Sequence, residues 1–281
     1  METRVASATK EVIIGGNGPT VLIGERINPS GNKRLAGALR KGDMEFVRNE
    51  ALAQVQAGAD IIDVNVSSFS VDEATMLPWV VQMLMDTVGV PLCIDSANPA
   101  ALEAALKVYK GKPLVNSVTG EEHSLGKVLP LVKEYGAAVI GLVQDDEGVP
   151  KNEERRVSIA HKLVTRAESL GVSREDIIID CLAPAIGTDT NAGIEVIKAI
   201  RRVNAELGVN QTIGASNVSF GMPDRDLLNN AFIASVLSAG VTCLITDVAK
   251  SHSIILAVDL ILSRDKRARR YVQAYRQRRV A

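Results

Sequence analysis

Thr212 to Gly221 reads TIGASNVSFG, an apolar strand that stops abruptly in small polar residues with Asn217 at its tip. A strand built only to fill a core would continue through Val and Ile. Four other short apolar runs end in the same way: IIDVN (Ile61 to Asn65), CID (Cys93 to Asp95), PLVN (Pro113 to Asn116) and IIID (Ile177 to Asp180). Each places a carboxylate or carboxamide where the strand gives out, and no helical stretch shows an equivalent concentration. The chain reads as a scaffold for a ring of Asp and Asn side chains.

Outward from these strand ends, strand and helix alternate eight times at a spacing of ~30 residues, the layout and length of a (β/α)8 barrel. The expected strands are VLIG, IIDVNV, PLCID, GKPLVNS, YGAAVIGLVQ, IIIDCL, QTIGASN and VTCLITD. Between them the sequence predicts helices from Asp43 to Ala57, Val71 to Thr87, Pro99 to Tyr109, up to Glu134, Glu153 to Ser169, Asn191 to Leu207 and Pro223 to Ala239, with a last one from Ser253 into the tail. Trp79 is expected to pack in the helix layer, GERINPSGNKR to form a loop, and DDEGVPKNEE to form a solvated loop or a lid. Glu11 to Glu25 reads as a hairpin turning at Gly-Gly-Asn-Gly-Pro. The expectation is one domain over residues 1–281, with residues 1–19 as an N-terminal hairpin extension and 263–281 as a basic tail. A doubly wound sheet would normally open on a glycine-rich turn, and no GxGxxG is present. Parallel strands buried on both faces suit a barrel, and barrels keep their active sites at strand C-termini.

Of the 281 residues 46% are hydrophobic but only 3% aromatic, so the core is aliphatic. A net charge of -1 supplies no global field for nucleic acid. The basic tail SRDKRARRYVQAYRQRRVA reads as the solvated end of the last helix, whose cations suit its C-terminal dipole, ahead of a site for RNA or an acidic partner. Cys93, Cys181 and Cys243 form no CxxC pair, which fits core positions in a reducing cytoplasm. The N-terminus lacks a secretory h-region and no apolar run is long enough to span a bilayer, so no membrane association is expected. His123, His161 and His252 fall in or beside expected helices, without triad companions.

Asp95, Asn116 and Asp180 together accept and donate hydrogen bonds, the set that satisfies a heterocycle with an amino group beside a ring N–H. The 2-amino-4-oxo-pyrimidine edge of a pterin or a guanine fits. A metal fits poorly, because no strand ends in His and a hard cation wants more oxygens. A single strand-end Asp is as well explained by helix capping; the whole ring is not.

The segments GERIN (Gly24 to Asn28), IIDVNV, CIDSAN, LVNS, IGLV, IID and GASNVSF, in that order, resemble the pterin-binding methyltransferases that move methyl between methyltetrahydrofolate and a corrinoid protein. They span almost the whole chain. The resemblance implies that Asp95, Asn116 and Asp180 hydrogen-bond the pterin, that Asn217 reaches N5, the methyl-bearing nitrogen, and that Asp63, Asn65, Ser216 and Arg225 line the same mouth. It implies tetrahydrofolate as substrate, cobalamin carried by a separate corrinoid protein, no metal held by this chain, and a homodimer. The acetogenic branch continues SNVS with Gln; Phe220 here looks like the folate domain of cobalamin-dependent methionine synthase. The resemblance leaves the partner open among O-demethylation, methylamine and betaine demethylation systems, any of which could use such a subunit. Dihydropteroate synthase resembles the same fold and pterin site, but it carries a basic Ser-Arg-Lys run where this chain has Ser216-Asn217-Val218. It also has a diphosphate-binding loop where Val66-Ser67-Ser68 stands here. A folate-binding protein without catalysis is the remaining alternative.

Overall fold

The computed structural model describes residues 1–68 and 71–280, leaving Ala281 of the tail outside. Two strands, β1 (Glu2–Ala6) and β2 (Glu11–Gly15), pair antiparallel before the barrel begins. The barrel and its helices then follow as β3 (Val21–Ile27), α1 (Lys33–Lys41), α2 (Met44–Gln56), β4 (Ile61–Val64), α3 (Glu73–Met85), β5 (Leu92–Asp95), α4 (Pro99–Val108), β6 (Leu114–Thr119) and α5 (Glu122–Tyr135). They continue as β7 (Ala138–Leu142), α6 (Glu153–Ser169), β8 (Ile177–Asp180), α7 (Ala192–Leu207), β9 (Asn210–Thr212), α8 (Arg225–Ala239), β10 (Cys243–Thr246), α9 (Val248–Ile261) and α10 (Arg269–Val280).

Eight parallel strands run in the order β10-β3-β4-β5-β6-β7-β8-β9. The ends of that row meet: the Thr242 amide donates to the Gln211 carbonyl at 3.0 Å, and the Ile245 amide to the Ile213 carbonyl at 3.1 Å. The result is a (β/α)8 barrel, as the alternation predicts. Strands such as IIDV and IIID are buried at every position, because one face fills the barrel and the other packs on the helices.

The N-terminal hairpin is present but differs in its boundaries from the expected Glu11 to Glu25 pair. Its strands lie within residues 2–15, and Gly-Gly-Asn-Gly-Pro instead links the hairpin to β3. Alternation explains the register. Val5, Val12 and Ile14 face inward and pack on Val21, Ile23, Ile61, Cys93, Leu114, Ile140 and Ile178 from the barrel interior. The hairpin therefore plugs the N-terminal end of the barrel, opposite the strand ends that carry the Asp and Asn residues. Ala6 and Lys112 exchange backbone hydrogen bonds of 2.8 and 2.9 Å, and the Asn210 amide donates to Thr3 Oγ1 and the Ile14 carbonyl, both at 3.0 Å. Gly15 sits at φ +90°, and a Cβ there would lie 2.1 Å from Asn210 Oδ1, so the position demands glycine.

Four other expectations change. Part of GERINPSGNKR is helical: Asn32 caps α1, and Gly42, left-handed at φ +69°, ends it just before Asp43 caps α2. Trp79 is 49% exposed, so it edges the helix layer without packing into it. The last helix begins at Val248 and stops at Ile261. A separate α10 follows, its start held by Asp265, which accepts from the Arg270 and Tyr271 amides at 3.1 and 2.9 Å. Arg264 and Arg270 pair with the buried carboxylate of Asp259, so part of the basic tail is structural and not a solvated helix end. The loop from Asp145 is tied down by Arg155, which bonds both Asp145 oxygens and pairs with Glu147. The three cysteines are buried and free, and the three histidines stand on α5, α6 and α9.

Candidate active site

The strand register determines the height of each polar side chain in the barrel mouth. Asp95, the last residue of β5, is level with Asn116 of β6. Asp63 is level with Cys93, one inward-facing layer deeper, and it is buried there. Asn116 Nδ2 reaches down to Asp63 Oδ1 at 3.1 Å, which joins the two layers. Asn65, just past β4, hydrogen-bonds Asp95 and accepts from the Ser67 amide at 2.8 Å.

On the far side of the mouth, Asp180 ends β8 and accepts from the Leu182 amide at 2.7 Å and from the Gly214 amide. Gly214 opens the single turn of 3-10 helix that carries Ser216 and Asn217. A Cβ on Gly214 would stand 3.1 Å from Asn217 Nδ2, so the missing side chain lets the carboxamide lie against the backbone that holds Asp180. Ser216 Oγ donates to Glu25 Oε1 at 2.6 Å. Arg225 binds the same turn from α8, with Nη2 on the Ser216 carbonyl at 2.8 Å and Nε on Ser219 Oγ at 3.0 Å.

The structure thus brings Asp63, Asn65, Asp95, Asn116, Asp180, Ser216, Asn217 and Arg225 to the C-terminal end of the barrel. Asp63 sits below the rim, and Arg225 spends its guanidinium on the loop.

Burial pushes the Asp180 carboxyl up to about 7, against the lowering effect of its two backbone donors and of Arg156. Burial likewise lifts Asp95 to about 6, opposed by its bond to Asn65. Asp63 is raised well above the ordinary carboxylate range by burial and then by the neighbouring Asp95. Glu25 is also raised, chiefly by burial and against its bond to Ser216. Several buried acceptors held together this way are short of hydrogen-bond donors, and such perturbed clusters mark functional sites. Among the described residues, no group of three His, Cys, Asp or Glu is arranged to hold a metal ion, and no helix is long and apolar enough to cross a membrane.

Two participants lacked an assigned role in the sequence reading. Glu25 lies inside GERIN, and the signal for it is a carboxylate in the middle of the apolar strand VLIGERI. Arg156 is 1% exposed on α6, and its Nη1 donates to the Cys181 and Leu182 carbonyls, bracing the turn that holds Asp180. It sits among the charges of EERR, where no pattern singles it out.

Comparison with known proteins identifies the family. The family described as pterin binding enzyme matches residues 24–247. A methylcorrinoid:tetrahydrofolate methyltransferase of Eubacterium limosum is 30% identical over 267 residues, covering 92% of this chain and 97% of that protein. The methionine synthase of Mycobacterium tuberculosis is 30% identical over 262 residues, 89% of this chain but only 22% of the longer enzyme. Among solved structures, the dihydropteroate synthase of Xanthomonas albilineans superposes with a TM-score of 0.72 over 93% of this chain and 99% of its own. At 19% identity that likeness speaks to the fold alone. From the match across its barrel and the relative aligned almost end to end, the chain belongs to the pterin-binding enzyme family.

Proposed function

We propose that the chain is a methyltransferase that moves the N5-methyl group between methyltetrahydrofolate and the cobalt of a corrinoid carried by a separate protein. The observation that carries this reading is Asn217. Its carboxamide lies against Gly214, whose amide holds Asp180, so a pterin bonded to Asp180 lies next to Asn217. Dihydropteroate synthase, with a basic Ser-Arg-Lys run in this place, is disfavoured by Ser216-Asn217-Val218. The similarity to the Eubacterium limosum enzyme supports the same choice.

In this reading Asp95, Asn116 and Asp180 bind the pyrimidine edge, while Asp63 orients Asn116 from beneath. Asn65 orients Asp95. Ser216 and Arg225 shape the loop that carries Asn217. Transfer from folate to cobalt requires N5 to be protonated, because displacement at the methyl carbon returns the C–N electron pair to N5. The incoming pair comes from reduced cobalt and forms the new Co–C bond; N5 ends as a neutral amine that retains its proton.

Asn217 cannot supply that proton, since a carboxamide has none to give at neutral pH. Its oxygen accepts from protonated N5 and so favours the reactive protonated folate, and the transition state reached from it, over the neutral folate that binds. Glu25 is the carboxyl best suited to relay the proton: it is raised by burial and linked through Ser216 to the Asn217 turn.

We extend this reading to a cytoplasmic homodimer with both mouths open to the corrinoid protein, serving demethylation systems, O-demethylation among them. The purified chain is expected to bind methyltetrahydrofolate without carrying cobalt, and to turn over only when corrinoid is added. Stoichiometric cobalamin in the isolated chain, read from its visible spectrum, would contradict this. Sedimentation at micromolar concentration is expected to give a dimer; a monomer would remove that part of the reading.

A further inference from the structure

We propose that Phe220 is the docking residue for the corrin macrocycle, an aromatic anchor on the rim of the mouth that contacts the incoming ring and not the folate. This rests on the methyl transfer proposed above.

The chain has only four Phe residues, and Phe220 is 69% exposed. Exposing so large an apolar side chain costs solvation free energy, and a scattered exposed side chain is commonplace. Phe220, however, is fixed in place three residues beyond Asn217. Its amide donates to the Asn217 carbonyl at 3.1 Å. Two residues before it, the Val218 carbonyl accepts from the Ile186 amide at 2.9 Å, tying the turn to the loop after β8. A Cβ on Gly187 of that loop would come within 3.2 Å of Met222 Sδ and 3.7 Å of the Phe220 carbonyl, so the backbone is packed from below. The Arg225 guanidinium lies 5.9 Å from the ring centroid, while its Nη2 and Nε hold the Ser216 carbonyl and Ser219 Oγ. The ring is thus an exposed aromatic on a rigid turn, the arrangement of an interface anchor that loses little freedom on binding.

Two occupants compete for it. The benzoyl-glutamate tail of the folate would need a groove to bury its ring, and Phe220, 69% exposed, offers little buried surface of that kind. Leu227, at the start of the helix that carries Arg225, is likewise 64% exposed. The corrin ring must bring cobalt to bonding distance of a methyl group beside Asn217, and its macrocycle is many times wider than that methyl. Its edge therefore sweeps the rim on which Asn217 and Phe220 share a turn. That edge carries methyl groups beside its amide arms, and the methyl groups match an exposed aromatic in chemistry.

The test uses free cob(I)alamin as acceptor and methyltetrahydrofolate as donor, with the parent chain, Phe220→Ala and Phe220→Tyr. Phe220→Ala is expected to raise KM for cob(I)alamin roughly tenfold, the loss of one aromatic anchor, with folate Kd within about twofold of the parent. Phe220→Tyr is expected to restore the parent KM. A weakened folate Kd with unchanged KM for cob(I)alamin would assign the ring to the folate tail and overturn the inference. So would a variant indistinguishable from the parent in both. In those two outcomes an active parent keeps the proposed transferase reading standing; a parent inert with cob(I)alamin removes both.

Discussion

Asn217 and the buried carboxylates divide the work of the site, and each makes a separate prediction. Asn217→Ala is expected to lower the single-turnover methyl-transfer rate at saturating folate by on the order of 10²-fold, the cost of deleting one preorganised hydrogen-bonding group, with binding affected less. A rate within about twofold of the parent would leave Asn217 as a binding residue only. Asp95→Ala and Asp180→Ala are expected to weaken folate binding by roughly 1–3 kcal/mol each, because buried pterin donors lose their acceptor. Titration calorimetry showing unchanged Kd in both would move the pterin elsewhere.

The same carboxylates predict a pH signature. Asp95 lies at about 6 and Asp180 at about 7, both above their unfolded values. The native state therefore holds protons that the unfolded chain has released, and stability contributed at these positions falls as pH rises from about 4 through 7. Pterin donors favour the ionised carboxylates, so folate binding runs the other way and strengthens as pH rises toward 7. Thermal scans at pH 5 and 8 are expected to show a larger folate-induced rise in Tm at pH 8. An equal rise at both, or a larger one at pH 5, would contradict this. The residues of this site were legible because an apolar strand ending in Asp or Asn stands out against Val and Ile. Glu25 was harder to read, since only its burial and its bond to Ser216 separate it from an ordinary strand charge. Arg156 was illegible, because its value lies in two backbone carbonyls brought to it by the fold.

At the scale of elements, the N-terminal hairpin is a stability device set apart from the chemistry. Val5 and Ile14 are fully buried against the barrel interior. Ile14→Ala is expected to destabilise by about 2–5 kcal/mol, transfer and cavity terms together. Folate Kd is expected to hold within about twofold, since the mouth lies at the opposite end. A shift in Kd larger than the shift in stability would mean that the plug is coupled to the site. The hairpin's partner is not evident from the sequence, because Gly-Gly-Asn-Gly-Pro is turn chemistry that serves a tight hairpin and a crossing into the barrel equally well. The true turn, around Ser7 to Lys10, relies on Ser7 Oγ accepting from the Thr9 and Lys10 amides at 3.2 and 2.9 Å. Helix α1 escaped for a related reason. Pro29, Gly31 and Asn32 announce a loop, and the helix they cap runs only nine residues. The break between α9 and α10 is likewise unmarked in the sequence: Ser263, Arg267 and Ala268 adopt positive φ without a glycine among them.

For the whole molecule, eight repeats of strand and helix make the barrel readable, because periodic burial is written into every strand. What the chain assembles with is carried by surfaces, where composition says little. The rim aromatic Phe220 and the basic α10 are both exposed features, at the mouth and beside the plugged end respectively. The central claim is that this barrel transfers a methyl group and does not condense a pterin with an arylamine. It is tested most directly by incubating the purified chain with methyl-labelled methyltetrahydrofolate and cob(I)alamin, and in parallel with a dihydropterin diphosphate and 4-aminobenzoic acid. The expected result is transfer of label to cobalt, with loss of the cob(I)alamin absorbance, and no dihydropteroate. Dihydropteroate formed without any label reaching cobalt would contradict the account.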